Sequence, residues 1–333
     1  MDLTTVWFAL IAVLWIGYFF LEGFDFGVGI LLPFLGKNES ERRALLRTIG
    51  PVWDGNEVWV IVAGGATFAA FPEWYATLFS GFYLALFLLL VGLIVRGIGI
   101  EYRNKRSPDA WRTRWDMLIA LGSFIPALLW GVAFANIVAG VPIDASKNFT
   151  GDLFTLLNPF GLLGGLTTLS LFLTHGLTFL ALKTEGDLRA RANALVMPVG
   201  IVAAVIAVAF LGWANAQRGS TLSEVTSVVA ALAFVVALVA NRVRREGWAF
   251  LLTGVTLALA VVSLFAALYP DVMPSSTNPA CSLTITNASS TPYTLGIMTI
   301  VAVIFTPIVL IYQGWTYYIF RKRVSVDRPA AKS

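Results

Sequence analysis

Nine stretches of this chain, residues 4–32, 51–71, 74–100, 114–141, 158–184, 188–214, 222–241, 247–268 and 292–320, stay apolar for as long as a helix needs to cross a bilayer. That length is about 20 residues. Strands of a membrane barrel would instead alternate apolar and polar side chains over about ten positions. With 58% of residues hydrophobic and 13% charged, no soluble domain has enough interior to hide the apolar side chains. Disorder is excluded on the same ground. The fold class that remains is all-α, a polytopic membrane protein of about nine transmembrane helices.

Basic residues orient the runs. The connections after the first, third, fifth and seventh runs, together with the tail 321–333, hold twenty Lys and Arg. The opposite connections hold Lys147 and Arg218, and Arg96 lies inside the third run. The N-terminus is therefore expected outside and the C-terminus in the cytoplasm. The net charge of +4 then belongs to cytoplasmic loops rather than to nucleic-acid binding. No cleavable signal peptide is expected, because no basic residue precedes the first run and it continues past signal length. Segment 269–291, rich in Ser, Thr, Asn and Pro, reads as an exposed outer connection. The sixth to eighth runs, nearly free of charge, read as lipid-facing scaffold. Residues 20–26 and 173–179 resemble each other, with Gly23 matched to Gly176. They suggest a parallel repeat within one membrane domain: a four-helix unit over 1–142, a second over 158–268, and a ninth helix over 292–320.

A single cysteine, Cys281, excludes an internal disulfide, an all-cysteine zinc site and an iron–sulfur cluster. A single histidine, His175, excludes a bis-histidine haem site and a three-histidine metal site within the chain. Alone in an apolar helix, His175 reads as a hydrogen-bonded core residue. No catalytic residue and no metal site are expected.

Charge inside a bilayer costs about 2.5–3.5 kcal/mol per residue on insertion scales, so each instance needs a reason. Glu22 and Asp25 lie in the first run, Asp54 and Glu57 in the second and Arg96 in the third, and Asp116 opens the fourth. Both acidic pairs are spaced i, i+3 and share a helix face. At helical rise, Asp25 lies roughly 12 Å and Asp54 about 5 Å from the cytoplasmic boundary, with Glu22 deepest. Pro51 is a favoured helix start, which puts Asp54 near a helix N-terminus where the dipole favours negative charge. Asp54 is thus expected to be ionised and paired with Arg96, with Glu22 or Asp25 more often protonated. Carboxyls of unequal acidity in a row suit a proton relay. The competing reading is a salt-bridge network that fixes helix packing, and it weighs most for Arg96 and Asp116.

The segments 23–29 (Gly-Phe-Asp-Phe-Gly-Val-Gly) and 50–59 (Gly-Pro-Val-Trp-Asp-Gly-Asn-Glu-Val-Trp) resemble subunit II of the cytochrome bd-type quinol oxidases. Residues 64–72, 79–83, 114–116 and 157–161 are similar to the same family. The match is dense over about residues 15–165, and beyond it only length and topology agree. His175 departs from the family pattern, where a non-ligating Gln is familiar, and Glu57 and Glu22 replace other polar residues. The role of Asp54 therefore transfers most directly.

The resemblance implies a haem-free subunit of a terminal oxidase in the prokaryotic cytoplasmic membrane. The family enzyme couples quinol oxidation to reduction of oxygen to water. Two haems b, haem d and the quinol-oxidising loop would belong to subunit I, the partner in a heterodimer, and this chain alone would be inactive. A small accessory subunit and bound membrane lipid remain open, and nucleic acid is not a partner. The Trp-Asp-Gly-Asn segment, Trp53 to Asn56, implies a cytoplasmic proton path toward the haems. Asp54, Asp25, Glu57 and Glu22 are its candidates, with Arg96, Asp116, Trp53 and Asn56 as a supporting charge network. Two other readings compete. A secondary transporter would favour broken helices and polar residues in both halves. A self-contained haem oxidase would need more axial ligands than one His and five Met supply.

Overall fold

The computed structural model describes residues 2–326; the tail residues Arg328 and Lys332 lie outside the described residues. Twelve α-helices follow one another: α1 (Leu3–Leu35), α2 (Glu39–Ile49), α3 (Trp53–Ala70), α4 (Pro72–Gly81), α5 (Tyr83–Tyr102), α6 (Asp109–Ala139), α7 (Leu153–Leu156), α8 (Pro159–Lys183), α9 (Gly186–Arg218), α10 (Thr221–Arg242), α11 (Glu246–Leu268) and α12 (Pro292–Ile319). Among the described residues eight of them, α1, α5, α6 and α8 to α12, are long and apolar enough to cross a membrane. The 18-residue α3 has the length of a short span, but Asp54, Asn56 and Glu57 make its first turns polar.

Side chains mark where helices start. Asp2, Asn38, Asn158, Ser220 and Thr291 each accept a hydrogen bond from a backbone N–H three residues on, which satisfies a group the helix itself leaves open. Pro51 falls in the turn before α3 rather than in its first turn, yet Asp54 remains in that first turn. Because α6 begins at Asp109, Asp116 lies two turns inside a helix instead of opening it.

Three expectations change in the folded chain. The run 74–100 is not one helix: it breaks at Phe82 between α4 and α5, where Gly81 backs onto Phe149 with no room for a side chain. Segment 269–291 is not a plain exposed connection. It forms two short antiparallel strands, β1 (Asp271–Met273) and β2 (Leu283–Thr284), and buries Val272, Met273 and Leu283. Finally, α11 is not lipid-facing scaffold. It lies against α1, α8 and α10, because Thr253, Gly254 and Thr256 give it a buried face of small and hydroxyl residues that permits close approach.

The centre of the molecule is α1, α6 and α8. There α1 and α8 cross at Gly27 and Gly176; a Cβ on Gly27 would sit 2.2 Å from the Phe172 carbonyl oxygen. On one side α3 packs on α1 and α5 on α6, and on the other α9, α10 and α11 gather around α8. Outside this bundle α12 rests on α3 and α1, and Leu295 is the residue it buries.

Candidate functional site

Where α1, α3 and α5 meet, Glu22, Asp25, Asn56 and Arg96 are fully buried. Arg96 forms a direct ion pair with Glu22, and its second nitrogen lies 3.5 Å from Glu57 Oε2. Its guanidinium sits over the Phe26 ring, 4.8 Å from the centroid, with the Trp53 ring at 6.0 Å. Ring faces attract cations, so the charge is held by carboxylates and by two aromatic faces. Asn56 Nδ2 donates to Asp25 Oδ2 at 2.7 Å and to the Leu21 carbonyl at 3.3 Å. Asn56 Oδ1 accepts from Tyr317 Oη at 2.8 Å and from Gln313 Nε2 at 3.2 Å. Three carboxyl groups thus stand close to one guanidinium, an excess of proton-accepting groups over counter-charge.

Asp54 does not pair with Arg96. Its side chain is exposed, its Oδ1 accepts from the Gly55 backbone N–H at 2.7 Å, and the guanidinium is already taken by Glu22 and Glu57. The acids therefore form a gradient: Asp54 at the surface, Glu57 with 21% of its side chain exposed, and Asp25 and Glu22 sealed inside. Trp53 is half-buried, its ring in contact range of Gly97 on α5.

Asp116 belongs elsewhere. It is buried on α6 in a second network, bonded to Arg103 and to Arg42 at 3.1 Å. Arg103, itself fully buried, also grips Glu39 at 2.8 Å. The network ties α2 to the ends of α5 and α6. Burial works against ionisation of Glu39, but hydrogen bonds from Arg103 and Arg43 outweigh it and hold the carboxyl below its usual range.

His175 lies in α8, away from both networks. Its Nε2 meets the Phe20 carbonyl at 3.0 Å and its Nδ1 meets Thr253 Oγ1 at 2.7 Å. A carbonyl only accepts, so Nε2 carries the proton and Nδ1 is left to accept. The ring stacks on Phe250, 4.6 Å between centroids and 4° from parallel. With both nitrogens engaged and one face covered, His175 does not fit an axial haem ligand.

Sequence reasoning missed Trp59, Gln313 and Tyr317 as neighbours of the cluster. A signal existed: Gln313 and Tyr317 stand four residues apart in an otherwise apolar helix and share a face. Arg103 follows the third apolar run like any loop charge, and nothing in its sequence neighbourhood marks it as buried.

Comparison with known proteins matches residues 3–320 to the family described as cytochrome bd terminal oxidase subunit II. The cytochrome bd ubiquinol oxidase subunit 2 of Bacillus subtilis (strain 168) is 44% identical over 333 residues, covering 98% of each chain. The cytochrome bd-I ubiquinol oxidase subunit 2 of Escherichia coli (strain K12) is 38% identical over 360 residues, covering 97% of this chain and 95% of that one. Among solved structures, a chain of the bd oxidase from Geobacillus thermodenitrificans has the same fold, with a TM-score of 0.80 at 17% identity, over 97% of this chain and 100% of that one.

Proposed function

The chain belongs to the family of cytochrome bd terminal oxidase subunit II, and from that premise we propose that it is the haem-free partner of subunit I in an electrogenic quinol oxidase and brings protons to it from the cytoplasm. In this reading quinol oxidation, the two haems b and haem d belong to subunit I, in the prokaryotic cytoplasmic membrane, and the isolated chain is inactive. The engaged nitrogens of His175 support the absence of a haem site here. Nine crossings are proposed: the eight apolar helices, with α4 extending α5, and the polar α3. The N-terminus is outside and the C-terminus cytoplasmic. Reporter fusions near Asp152 and in the tail should read opposite sides; the same side for both would refute this topology. The two halves are read as a repeat of α1, α3, α5, α6 and α8, α9, α10, α11. Its support is that α6 packs on α8 as α11 packs on α1.

The observation that carries the proton path is the gradient of acids. Reduction of oxygen to water consumes protons, and a reaction centre inside a membrane needs titratable groups in a row to receive them. Asp54 stands at the surface as the uptake group, Glu57 half-buried beside it, and Asp25 and Glu22 inside with Arg96 as counter-charge. Hydrogen bonding through Asn56 holds Asp25 in place.

The test is oxygen consumption per haem d in purified complex. Asp54→Asn keeps the shape and removes the titratable group, so turnover should fall, while Asp54→Glu retains part of it. Normal turnover per haem in the Asn variant would take Asp54 out of any obligatory path. Loss of haem in proportion to activity would instead mark it as a packing residue.

A further inference from the structure

The amide of Asn56 has a direction, and that direction is set from outside the acid cluster. An indole N–H can only donate. Trp59 Nε1 gives its hydrogen to Gln313 Oε1 at 2.8 Å. A glutamine whose oxygen is held this way presents its NH2 group on the other side, where it meets Asn56 Oδ1 at 3.2 Å. The Tyr317 hydroxyl donates to the same oxygen at 2.8 Å. With its oxygen held by two donors, Asn56 turns its NH2 toward α1. There it meets the Leu21 carbonyl, which can only accept, and Asp25 Oδ2 at 2.7 Å. The chain of donors runs one way, from Trp59 to Asp25.

Two features hold that chain in place. Trp59 lies against Gly17 of α1, where a Cβ would come within 2.2 Å of the indole ring. α12, which carries Gln313 and Tyr317, buries little apolar surface. Hydrogen bonds attach it at two levels: Trp7 Nε1 to the Leu295 carbonyl and to Thr299 Oγ1, and the contacts around Asn56. With so little of α12 buried against the bundle, few packing contacts fix its rotation, and these polar contacts set which face it turns inward.

Asp25 Oδ2 therefore always faces an N–H, and a proton placed on it would meet another donor. Asp25 Oδ1 has no hydrogen-bond partner. We propose that Trp59, Gln313 and Tyr317 are positioning residues that keep the Asn56 amide a one-way donor to Asp25 Oδ2, so that Asp25 exchanges its proton at Oδ1. This makes α12 part of the proton-handling apparatus. The functional side of the proposal rests on the proton path above; the orientation itself is independent of it.

The experiment uses the purified complex with its partner subunit and two readouts. One is the carboxyl C=O band of Asp25 in pH-difference infrared spectra, identified as the band lost in Asp25→Asn. The other is the pH profile of turnover per haem d. Trp59→Phe and Tyr317→Phe each remove one donor. Both should keep haem content, shift the Asp25 band, and displace the pH profile in a common direction by about half a pH unit or more. Trp7→Phe, which loosens α12 at its other attachment but leaves every contact around Asn56 intact, should move both readouts clearly less than the donor variants do. Should Trp59→Phe fail to assemble, Tyr317→Phe, which deletes a single oxygen, carries the test. The proposal is overturned if the band and profile of the donor variants coincide with the parent's, if Trp7→Phe moves them equally, or if Asp25→Asn loses no band. Normal turnover in Asp25→Asn would refute the proton path alone, and the band shift would still decide the orientation.

Discussion

The two halves of this protein enclose different interiors. In the first, α1, α3 and α5 enclose the Glu22–Arg96 ion pair, Asp25 and Asn56. In the second, α8 to α11 together with α6 surround a cavity of about 340 Å³. Its lining is mostly apolar, with Leu171, Phe210, Phe234 and Leu264 in the walls and Asn215, Glu224 and Ser227 among its few polar groups. The second half is held mainly by apolar packing, with polar contacts such as His175–Thr253 and Arg189–Glu246 between its helices. Buried charge costs desolvation that a hydrophobic replacement would avoid. The second half keeps one such acid, Glu246 at the start of α11 paired with Arg189, whereas Glu22, Asp25 and Arg96 are buried within spanning helices, which points to work other than packing.

The largest effect should come from breaking the charged interior. Arg96→Gln leaves Glu22 buried without a counter-charge, at a cost of about 3–5 kcal/mol. Assembled oxidase, read as haem per membrane protein, should largely disappear, and the double variant Glu22→Gln/Arg96→Gln should recover part of it. Parent-level assembly of Arg96→Gln would break the comparison, because the first half would then be no more dependent on its charges than the second.

Next is the ranking of the acids. At constant haem d, Asp25→Asn should lower oxygen consumption on the order of a hundredfold and Asp54→Asn roughly tenfold or less. An exposed carboxylate can be bypassed by water, and a sealed one cannot. Equal effects would show that the burial gradient does not order the path.

A smaller effect is expected in the second half. His175→Gln should leave the haem spectrum of the complex unchanged and lower its thermal stability by about 1 kcal/mol, the worth of a typical hydrogen bond. Loss of a haem signal would move redox work into this half.

The smallest concerns the second network. The Glu39 carboxyl is held below its usual range by its arginine partners. Such a group adds stability above its ordinary pKa and loses it as pH falls through the lowered value. Glu39 is half-exposed, so Glu39→Gln should lower stability at neutral pH by on the order of 1 kcal/mol or less. In melts at decreasing pH the gap to the parent should close; a gap that widens in acid would reverse the sign.

Much of the candidate site was legible because charge is conspicuous in an apolar run. Glu22, Asp25, Glu57 and Arg96 announce themselves by their cost, and the structure brings all four together. The expected Asp54–Arg96 pair does not form, because depth along a helix is readable in sequence but the direction its side chain faces is not. Arg103 is the opposite case, since a basic residue after a span looks like any loop charge until Asp116 and Glu39 close over it. Tyr317 lies 261 residues from Asn56, and nothing local to either residue reports such a contact.

Hydropathy and charge are properties of a segment. The sequence by itself therefore determined the helical membrane class, the positions of the long helices, and the stretch that carries the acids. Which acid meets Arg96, and which way the Asn56 amide points, depend on the rotation of each helix about its axis. That rotation is set where backbones touch, at Gly27 against Gly176 and at Gly17 under Trp59, and by polar contacts between helices distant in sequence. Only the tertiary structure decides it, because side chains from separate segments must pack at once before any one orientation is favoured.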